Sequence, residues 1–225
     1  MTVQTEQQIT SHILMVRPAQ FGFNEETAES NAFQKNDGSL TPPQIRRKAR
    51  AEFDNFVQLL RASGVQVTVV EDTDYPIKTD AVFPNNWVTF HQDGTVITYP
   101  MHSEIRRLER REDILENLSK QFKIGRRVHL ESAEPQHKFL EGTGSMILDR
   151  PNRLVYACIS PRTDVALLDE FCKITGFEKV AFTAVDGSGK QIYHTNVMMA
   201  LGETFVVICL DSVRDEAARA VLMEK

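Results

Sequence analysis

Apolar and polar residues along the chain follow two periods, one typical of strands and one typical of helices. The apolar run at residues 12–16 predicts a buried strand, and the run at 65–70, rich in β-branched residues, predicts a second strand. Between them, a long irregular stretch covers residues 19–40, a proline pair at residues 42–43 opens a helix, and Gly64 ends that helix. The apolar stripe of the helix comprises Ile45, Phe53, Phe56, Val57 and Leu60. The first repeat is therefore predicted as strand, helix, strand.

Three further repeats follow, each opening with a strand hairpin and continuing into a helix. The hairpins begin at Val88, Met146 and Val197, at similar intervals along the chain. The second and third repeats close with strands at residues 127–130 and 179–183, whereas the fourth has no closing strand. Because such sheets need neighbours on both faces, we expect the repeats to pack side by side around an axis. The open last repeat predicts a chain shorter than the fold it encodes.

A short polar cluster stands directly ahead of each of these three hairpins. The clusters are residues 83–86, residues 140–144 and residues 194–196, and they contain an amide, a carboxylate and an imidazole respectively. Equivalent positions of a repeat fold lie around a common axis. The three side-chain types are therefore predicted to converge on one point and to form one active site.

Composition and charge restrict the classes of partner. The chain of 225 residues has 41% hydrophobic and 25% charged residues, which is typical of a globular protein. A formal net charge of −5 argues against a nucleic-acid or anionic-membrane surface. The basic runs at residues 46–48 and 106–107 are predicted to lie on solvated helix faces. Three widely spaced cysteines, no leader and no long apolar run predict a cytoplasmic protein.

Each residue of the clusters has both a structural and a chemical interpretation. Asn86 could begin a strand as an Asx turn, Glu141 could face solvent at a strand entry, and His194 could be a structural histidine. Chemically, an amide both donates and accepts, and an imidazole is the commonest general acid–base group. Gly142 and Gly144 beside the carboxylate would allow the backbone to approach a ligand closely.

Two further residues are candidates for holding the ends of an amino acid. Arg162, at the exit of the hairpin of the third repeat, suits a bidentate grip on a carboxylate, although it could simply be a polar residue at a helix start. Asp80 could hold a substrate ammonium group or cap a turn. No metal is expected, because no two of the six histidines fall at close ligand spacing, and no other cofactor is predicted.

A nucleophile is the component that the motifs do not provide. Ser145 has no evident basic partner in the sequence. The three cysteines are Cys158, Cys172 and Cys209, and none occupies an exposed loop or a helix N-terminus that would lower the pKa of its thiol.

Four strings, taken in order, resemble the guanidino-group-modifying enzymes, which include arginine deiminases, amidinotransferases and N-succinylarginine dihydrolase. They are Phe-Pro-Asn-Asn-Trp at residues 83–87, Leu-Glu-Gly-Thr-Gly at 140–144, Ser-Pro-Arg-Thr at 160–163 and His-Thr-Asn-Val-Met at 194–198. The strings are most similar to the arginine-deiminase-related branch with citrulline-hydrolysing members. The resemblance implies a five-bladed α/β propeller with a central site. Residues 1–225 would then form a single catalytic domain that lacks most or all of the last repeat.

The resemblance also implies roles for single residues. Glu141 matches the catalytic carboxylate that binds substrate nitrogens, and His194 matches the general acid–base. Asn86 and Asn196 stand where arginine deiminases place aspartates, and Arg162 matches the arginine that grips the α-carboxylate. The nucleophile of the family is a cysteine in the fifth repeat, which we expect to lie beyond the end of this chain.

The implied activity is hydrolysis of C–N bonds in a ureido or guanidino amino acid through a covalent cysteine intermediate. A neutral ureido group prefers groups that both donate and accept, so the amides of Asn86 and Asn196 favour a citrulline-type substrate over an arginine-type one. Amidinotransferase, arginine deiminase, an inactive binding module, and an α/β protein with these clusters as turns remain alternatives. The expected partner is a small amino acid, without nucleic acid or membrane, and a homo-oligomer is left open.

Overall fold

A computed structural model describes residues 6–28, 31, 34, 36 and 38–224. These residues divide into two compact units. Unit I comprises residues 10–87 and 103–124, and unit II comprises residues 6–9, 88–102 and 125–224. Parts of the irregular stretch predicted before the first long helix lie outside the described residues, namely residues 29, 30, 32, 33, 35 and 37.

Unit I is built on a two-stranded parallel sheet. Strand β1 (His12–Arg17) pairs with β2 (Gln66–Glu71) along its whole length, which confirms both predicted strands. The connection between the two strands contains the long helix of the unit. The helices of unit I are α1 (Glu25–Ala28), α2 (Pro42–Ala62), α3 (Glu104–Arg107) and α4 (Glu112–Ser119).

Helix α2 begins and ends where the sequence predicts. A capping box closes its N-terminus, where the Thr41 N–H donates to Gln44 Oε1 at 2.8 Å. At the other end Gly64 has φ +87°, and the Val65 N–H donates to the Leu60 carbonyl in a Schellman motif. The helix residues buried against the sheet are Phe53 and Val57.

Unit II contains two three-stranded sheets of the same topology and a final hairpin. In each sheet the third strand runs parallel to the second strand of an antiparallel hairpin. The first sheet comprises β3 (Val88–Phe90), β4 (Thr95–Thr98) and β5 (Arg126–His129). The second comprises β6 (Met146–Asp149), β7 (Leu154–Cys158) and β8 (Glu178–Phe182). The hairpin comprises β9 (Met199–Leu201) and β10 (Val206–Ile208), and the helices are α5 (Gly142–Ser145), α6 (Val165–Thr175) and α7 (Glu216–Glu224).

The order of elements confirms a repeat of hairpin, helix and strand in a mixed α/β fold. Each polar cluster ends in a single helical turn directly ahead of its hairpin. These turns are the 3₁₀ helix Pro84–Asn86, the helix α5 and the 3₁₀ helix Thr195–Val197. The clusters therefore occupy equivalent positions of the repeat, whereas the five-bladed propeller itself stays a prediction.

Two apolar clusters cover the two faces of the β6–β7–β8 sheet. Alternate residues of β7 belong to different clusters, with Val155 in one and Tyr156 in the other. Helix α6 packs into the first cluster, and the β9–β10 hairpin and α7 pack into the second. Successive repeats in unit II therefore share apolar layers. Across the described ranges, no helix has both the length and the apolar character needed to cross a membrane.

Candidate active site

The backbone of Glu141 is held in place at the start of α5 by hydrogen bonds. The Glu141 N–H donates to Ser145 Oγ at 2.9 Å, and that hydroxyl donates to the Arg162 carbonyl at 2.7 Å. Gly142 has φ +43°, a backbone conformation that glycine adopts without a Cβ penalty. Ser145 therefore uses its hydroxyl to hold two backbone segments together, and the structure pairs it with backbone groups instead of a basic side chain.

The Glu141 carboxylate joins two of the other predicted site residues. Its Oε2 lies 2.7 Å from His194 Nε2 and 3.7 Å from Arg162 Nη1. Its Oε1 accepts the backbone N–H of His102 at 2.9 Å. The exposed fractions of Glu141, Arg162 and His194 are 0%, 2% and 4%. The buried carboxylate fixes the orientation of the imidazole through this contact.

His194 is positioned by the threonine that follows it. Thr195 Oγ1 accepts the backbone N–H of Cys158 at 2.7 Å and donates to the Ser145 carbonyl. These bonds tie the cluster of residues 194–196 to strand β7 and to α5. The supporting roles of Ser145 and Thr195 were not predicted from the sequence. A signal was available, since both are hydroxyl residues at the polar clusters that carry the site.

Arg162 lies in a tight turn between β7 and α6. Its N–H donates to Ser160 Oγ at 3.1 Å, and its guanidinium carbon lies 4.7 Å from the centre of the Tyr193 ring. Two residues later Asp164 caps α6. The turn, the ring and the Glu141 carboxylate together fix the guanidinium. Three predicted site residues therefore meet in unit II.

Asn86 lies in unit I, where its side chain is buried. With the amide oxygen turned towards Arg106, Oδ1 accepts from both terminal nitrogens of the guanidinium at 2.8 and 3.0 Å. Arg106 in turn donates to Glu109 at 2.9 and 3.0 Å, and both side chains are buried. The prediction that residues 106–107 form a solvated basic face is thus wrong for Arg106. This ion pair fixes the amide of Asn86.

Asp80 and Asn196 have different surroundings. Asp80, in unit I, accepts a hydrogen bond from the buried Asn24 side chain at 2.6 Å. Asn196, in unit II, is exposed on the turn after His194, whereas its neighbour Thr195 is fully buried. The substrate-binding roles of Asp80 and Asn196 stay predictions.

Burial raises the thiol pKa of two of the three cysteines. Cys158 is fully buried, its Sγ donates to the Ile192 carbonyl at 3.6 Å, and burial raises its pKa to about 11. Burial also raises the pKa of Cys172. Cys209 is exposed in the loop just after β10, so the prediction that no cysteine occupies an exposed loop is wrong for Cys209. Within the described part of the chain, no three His, Cys, Asp or Glu side chains are grouped to hold a metal ion.

Several solved structures are similar to this chain in fold. The N-terminal domain of ArgZ, an arginine dihydrolase from Cyanobacteria, was solved with its substrate. It matches with a TM-score of 0.72 at 17% identity, over 95% of this chain and 71% of that one. Unliganded AgrE matches with a TM-score of 0.71 at 18% identity, over 95% of this chain and 28% of that one. A dimethylarginine dimethylaminohydrolase adduct has a TM-score of 0.59 at 16% identity, with 88% and 68% covered.

The sequence comparison identifies the family. No curated protein sequence matches the chain. The family model described as N,N dimethylarginine dimethylhydrolase, eukaryotic, matches residues 17–225, which is nearly the whole chain. The resemblance to guanidino-group-modifying enzymes is therefore confirmed. The chain belongs to the N,N dimethylarginine dimethylhydrolase (eukaryotic) family.

Proposed function

We propose that this chain forms the substrate-recognition and acid–base part of a hydrolase that cleaves C–N bonds of a guanidino or ureido amino acid. The observation that carries the proposal is the buried contact of 2.7 Å between Glu141 Oε2 and His194 Nε2. A carboxylate accepts the N–H groups of a planar guanidino or ureido group, and an imidazole moves protons near neutral pH. The Arg162 guanidinium, buried beside them, suits the α-carboxylate of an amino acid.

The reaction would proceed through a covalent intermediate on a thiolate. The thiolate attacks the planar carbon of the substrate while Glu141 holds the substrate nitrogens. His194 gives its proton to the departing nitrogen, which leaves as ammonia, and then takes a proton from the attacking water. Addition of water releases the thiolate and converts a guanidino group into a ureido group. A second hydrolysis would convert the ureido group into an amine, carbon dioxide and ammonia.

The thiolate would come from a residue other than the three cysteines of this sequence. Cys158 and Cys172 have raised pKa values through burial, and Cys209 lies on the surface of the last hairpin. We propose that residues 1–225 belong to a single catalytic domain, a five-bladed α/β propeller, and supply the repeats described here. The shared topology of the β3–β4–β5 and β6–β7–β8 sheets supports this proposal.

The amide of Asn86 bears on the choice of substrate. ArgZ is named as an arginine dihydrolase, and the third structure as a dimethylarginine dimethylaminohydrolase, which supports a guanidino amino acid. A neutral amide in place of an aspartate supports acceptance of a neutral ureido group as well. We therefore propose arginine-type and citrulline-type amino acids as the substrate class, with binding roles for Asn86, Asn196 and Asp80.

Product analysis tests the proposal. The purified chain is incubated with L-arginine, N-methylated L-arginine or L-citrulline, with and without glycine as an acceptor amine. Ammonia, citrulline and ornithine are then assayed. We expect binding without release of ammonia. Turnover that disappears in Cys209→Ser would place the nucleophile in this chain, and turnover that persists without any cysteine would refute the thiolate mechanism. Transfer of the amidino group to glycine would favour an amidinotransferase.

A further inference from the structure

A cavity of about 460 Å³ lies in unit II at the turn ends of the β3–β4 and β6–β7 hairpins. Its walls come from these two turns, the C-terminal end of α6 and Glu6. The polar clusters of the candidate active site precede β3 and β6, so they stand at the opposite ends of these strands from the turns. A cavity of this volume is typical of sites for small molecules.

Two arginines of the β6–β7 turn, Arg150 and Arg153, bring positive charge to the cavity. The guanidinium carbon of Arg153 lies 5.0 Å from the centre of the Phe177 ring, and Nη2 donates to the Thr175 carbonyl. Among residues 6–28 and 38–224, this is the hydrogen bond that the guanidinium makes. Its Nε and Nη1 atoms therefore keep N–H donors for a ligand.

The backbone around Arg153 is shaped to hold the guanidinium at the cavity. Arg153 has φ +56°, which is uncommon for a residue other than glycine and recurs at ligand-binding positions. At Gly176 a Cβ would lie 3.0 Å from Arg153 Nη2, and the backbone has φ +73°. Glycine at residue 176 therefore leaves room for the guanidinium between the end of α6 and the turn.

Arg150 already binds a carboxylate in this cavity, and that carboxylate belongs to the chain itself. Its Nη1 donates to Glu6 Oε1, and its Nη2 donates to the Phe90 carbonyl at 3.4 Å. Gln8 fastens this N-terminal segment to β6, since its amide donates to the Leu148 carbonyl and accepts the Arg150 N–H, both at 2.9 Å. The contact with Glu6 identifies the position beside Arg150 as one that holds an anionic oxygen group.

The imidazole of His91 forms a neutral part of the wall. Burial and then the charge of Arg150 lower the pKa of His91 to about 4. Arg153 acts in the same direction, whereas Glu6 and Asp93 act in the opposite one. The arginines are thus close enough to place a positive potential at the ring, and an anionic ligand would compensate that potential.

We infer that this cavity is a second ligand site, which takes a small dianion. Arg150 binds one anionic oxygen group and Arg153 binds another, because a guanidinium group offers several N–H donors to carboxylate or phosphate oxygens. The ligand displaces Glu6 from Arg150. Carboxylates and phosphates share this chemistry, so both are used as probes. The inference does not depend on the chemistry of Glu141 and His194.

NMR titration of the purified chain with succinate and with inorganic phosphate, at constant ionic strength and pH 7.5, tests the inference. Amide signals of residues 91–95 and 174–177 report on the walls of the cavity. Signals of residues 194–198 report on the candidate active site. We expect saturable shifts in the first two ranges, and the probe that binds more tightly identifies a carboxylate or a phosphate as the anionic group.

Three variants connect the binding to individual charges. Arg153→Gln removes an exposed guanidinium, and we expect it to weaken binding by at least about tenfold. Glu6→Gln removes the tethered carboxylate that competes with the probe, and we expect it to tighten binding by about threefold or more. The matched control, Arg214→Gln, removes an exposed arginine outside the cavity and should leave binding unchanged.

Any of three results would overturn the inference. The first is no saturable shift with either probe in the wild type and in Glu6→Gln. The second is equal affinity in Arg153→Gln and the wild type, because the anion would then bind without the cavity. The third is a set of shifts confined to residues 194–198 and reversed by L-arginine, which would assign the anion to the candidate active site.

Discussion

Ser145→Ala tests the backbone support beneath Glu141. The Ser145 hydroxyl accepts the Glu141 N–H at 2.9 Å and donates to the Arg162 carbonyl at 2.7 Å, and its side chain is fully buried. Each net hydrogen bond contributes about 0.5–1.5 kcal/mol to folding, and a buried group left unpaired costs about 1–3 kcal/mol.

The two backbone groups would not lose every partner. The Glu141 N–H also donates to the Arg162 carbonyl, although at a longer distance of 3.3 Å. We therefore expect a loss of about 1.5–2.5 kcal/mol in the free energy of unfolding rather than the full cost of two unpaired groups. Urea unfolding, monitored by circular dichroism, measures this difference.

A surface serine provides the matched control. Ser188 Oγ donates to Asp186 on an exposed turn, so Ser188→Ala should change the free energy of unfolding by less than about 0.5 kcal/mol. If Ser145→Ala is as mild as Ser188→Ala, the hydroxyl does not hold the two segments together and the reasoning is refuted.

Three further predictions concern titratable groups. Lys78→Met should cost about 3 kcal/mol in urea unfolding, because Lys78 Nζ lies 3.2 Å from the fully buried Asp72 carboxylate; an unchanged stability would contradict this. Burial lowers the pKa of His91 from 6.5 to about 4, so its NMR ring signals should not titrate above pH 5. The unfolded state binds that proton near pH 6.5, whereas the folded state binds it only near pH 4. The contribution of His91 to the free energy of unfolding is therefore fully present above pH 6.5 and falls as the pH drops towards 4. Iodoacetamide at pH 8 should modify Cys209 and spare Cys158, whose pKa is raised to about 11; peptide mapping that finds both modified would contradict this.

The sequence predicts the elements well where local signals are strong. The ends of α2 follow from the prolines at its start and from Gly64 at its end. The equivalence of the three polar clusters follows from the repeated hairpin, and each cluster does end in one helical turn. The repeat predicts that Glu141 and His194 meet, whereas Arg162 belongs to none of the three clusters and enters as a site residue through its chemistry and the family resemblance.

Other features depend on contacts that leave no local pattern. Arg106 and Glu109 lie three residues apart, a spacing that equally describes a solvated surface pair, and their burial is set by packing. The partners of Ser145 are backbone groups, one of them 17 residues away in sequence. Residues 103–124 join unit I although they interrupt a sheet of unit II in the sequence, which only long-range packing decides.

The most direct test of the account is the affinity of the chain for L-arginine and L-citrulline with and without the charge of Glu141. Isothermal titration would compare the wild-type chain, Glu141→Gln and the exposed control Glu178→Gln. Because a hydrogen bond to a charged group contributes about 1.5–3 kcal/mol, we expect Glu141→Gln to weaken binding by at least about tenfold and Glu178→Gln to leave it unchanged. Equal affinity in all three chains, or no binding by the wild type, would contradict a ligand centre at Glu141 and His194.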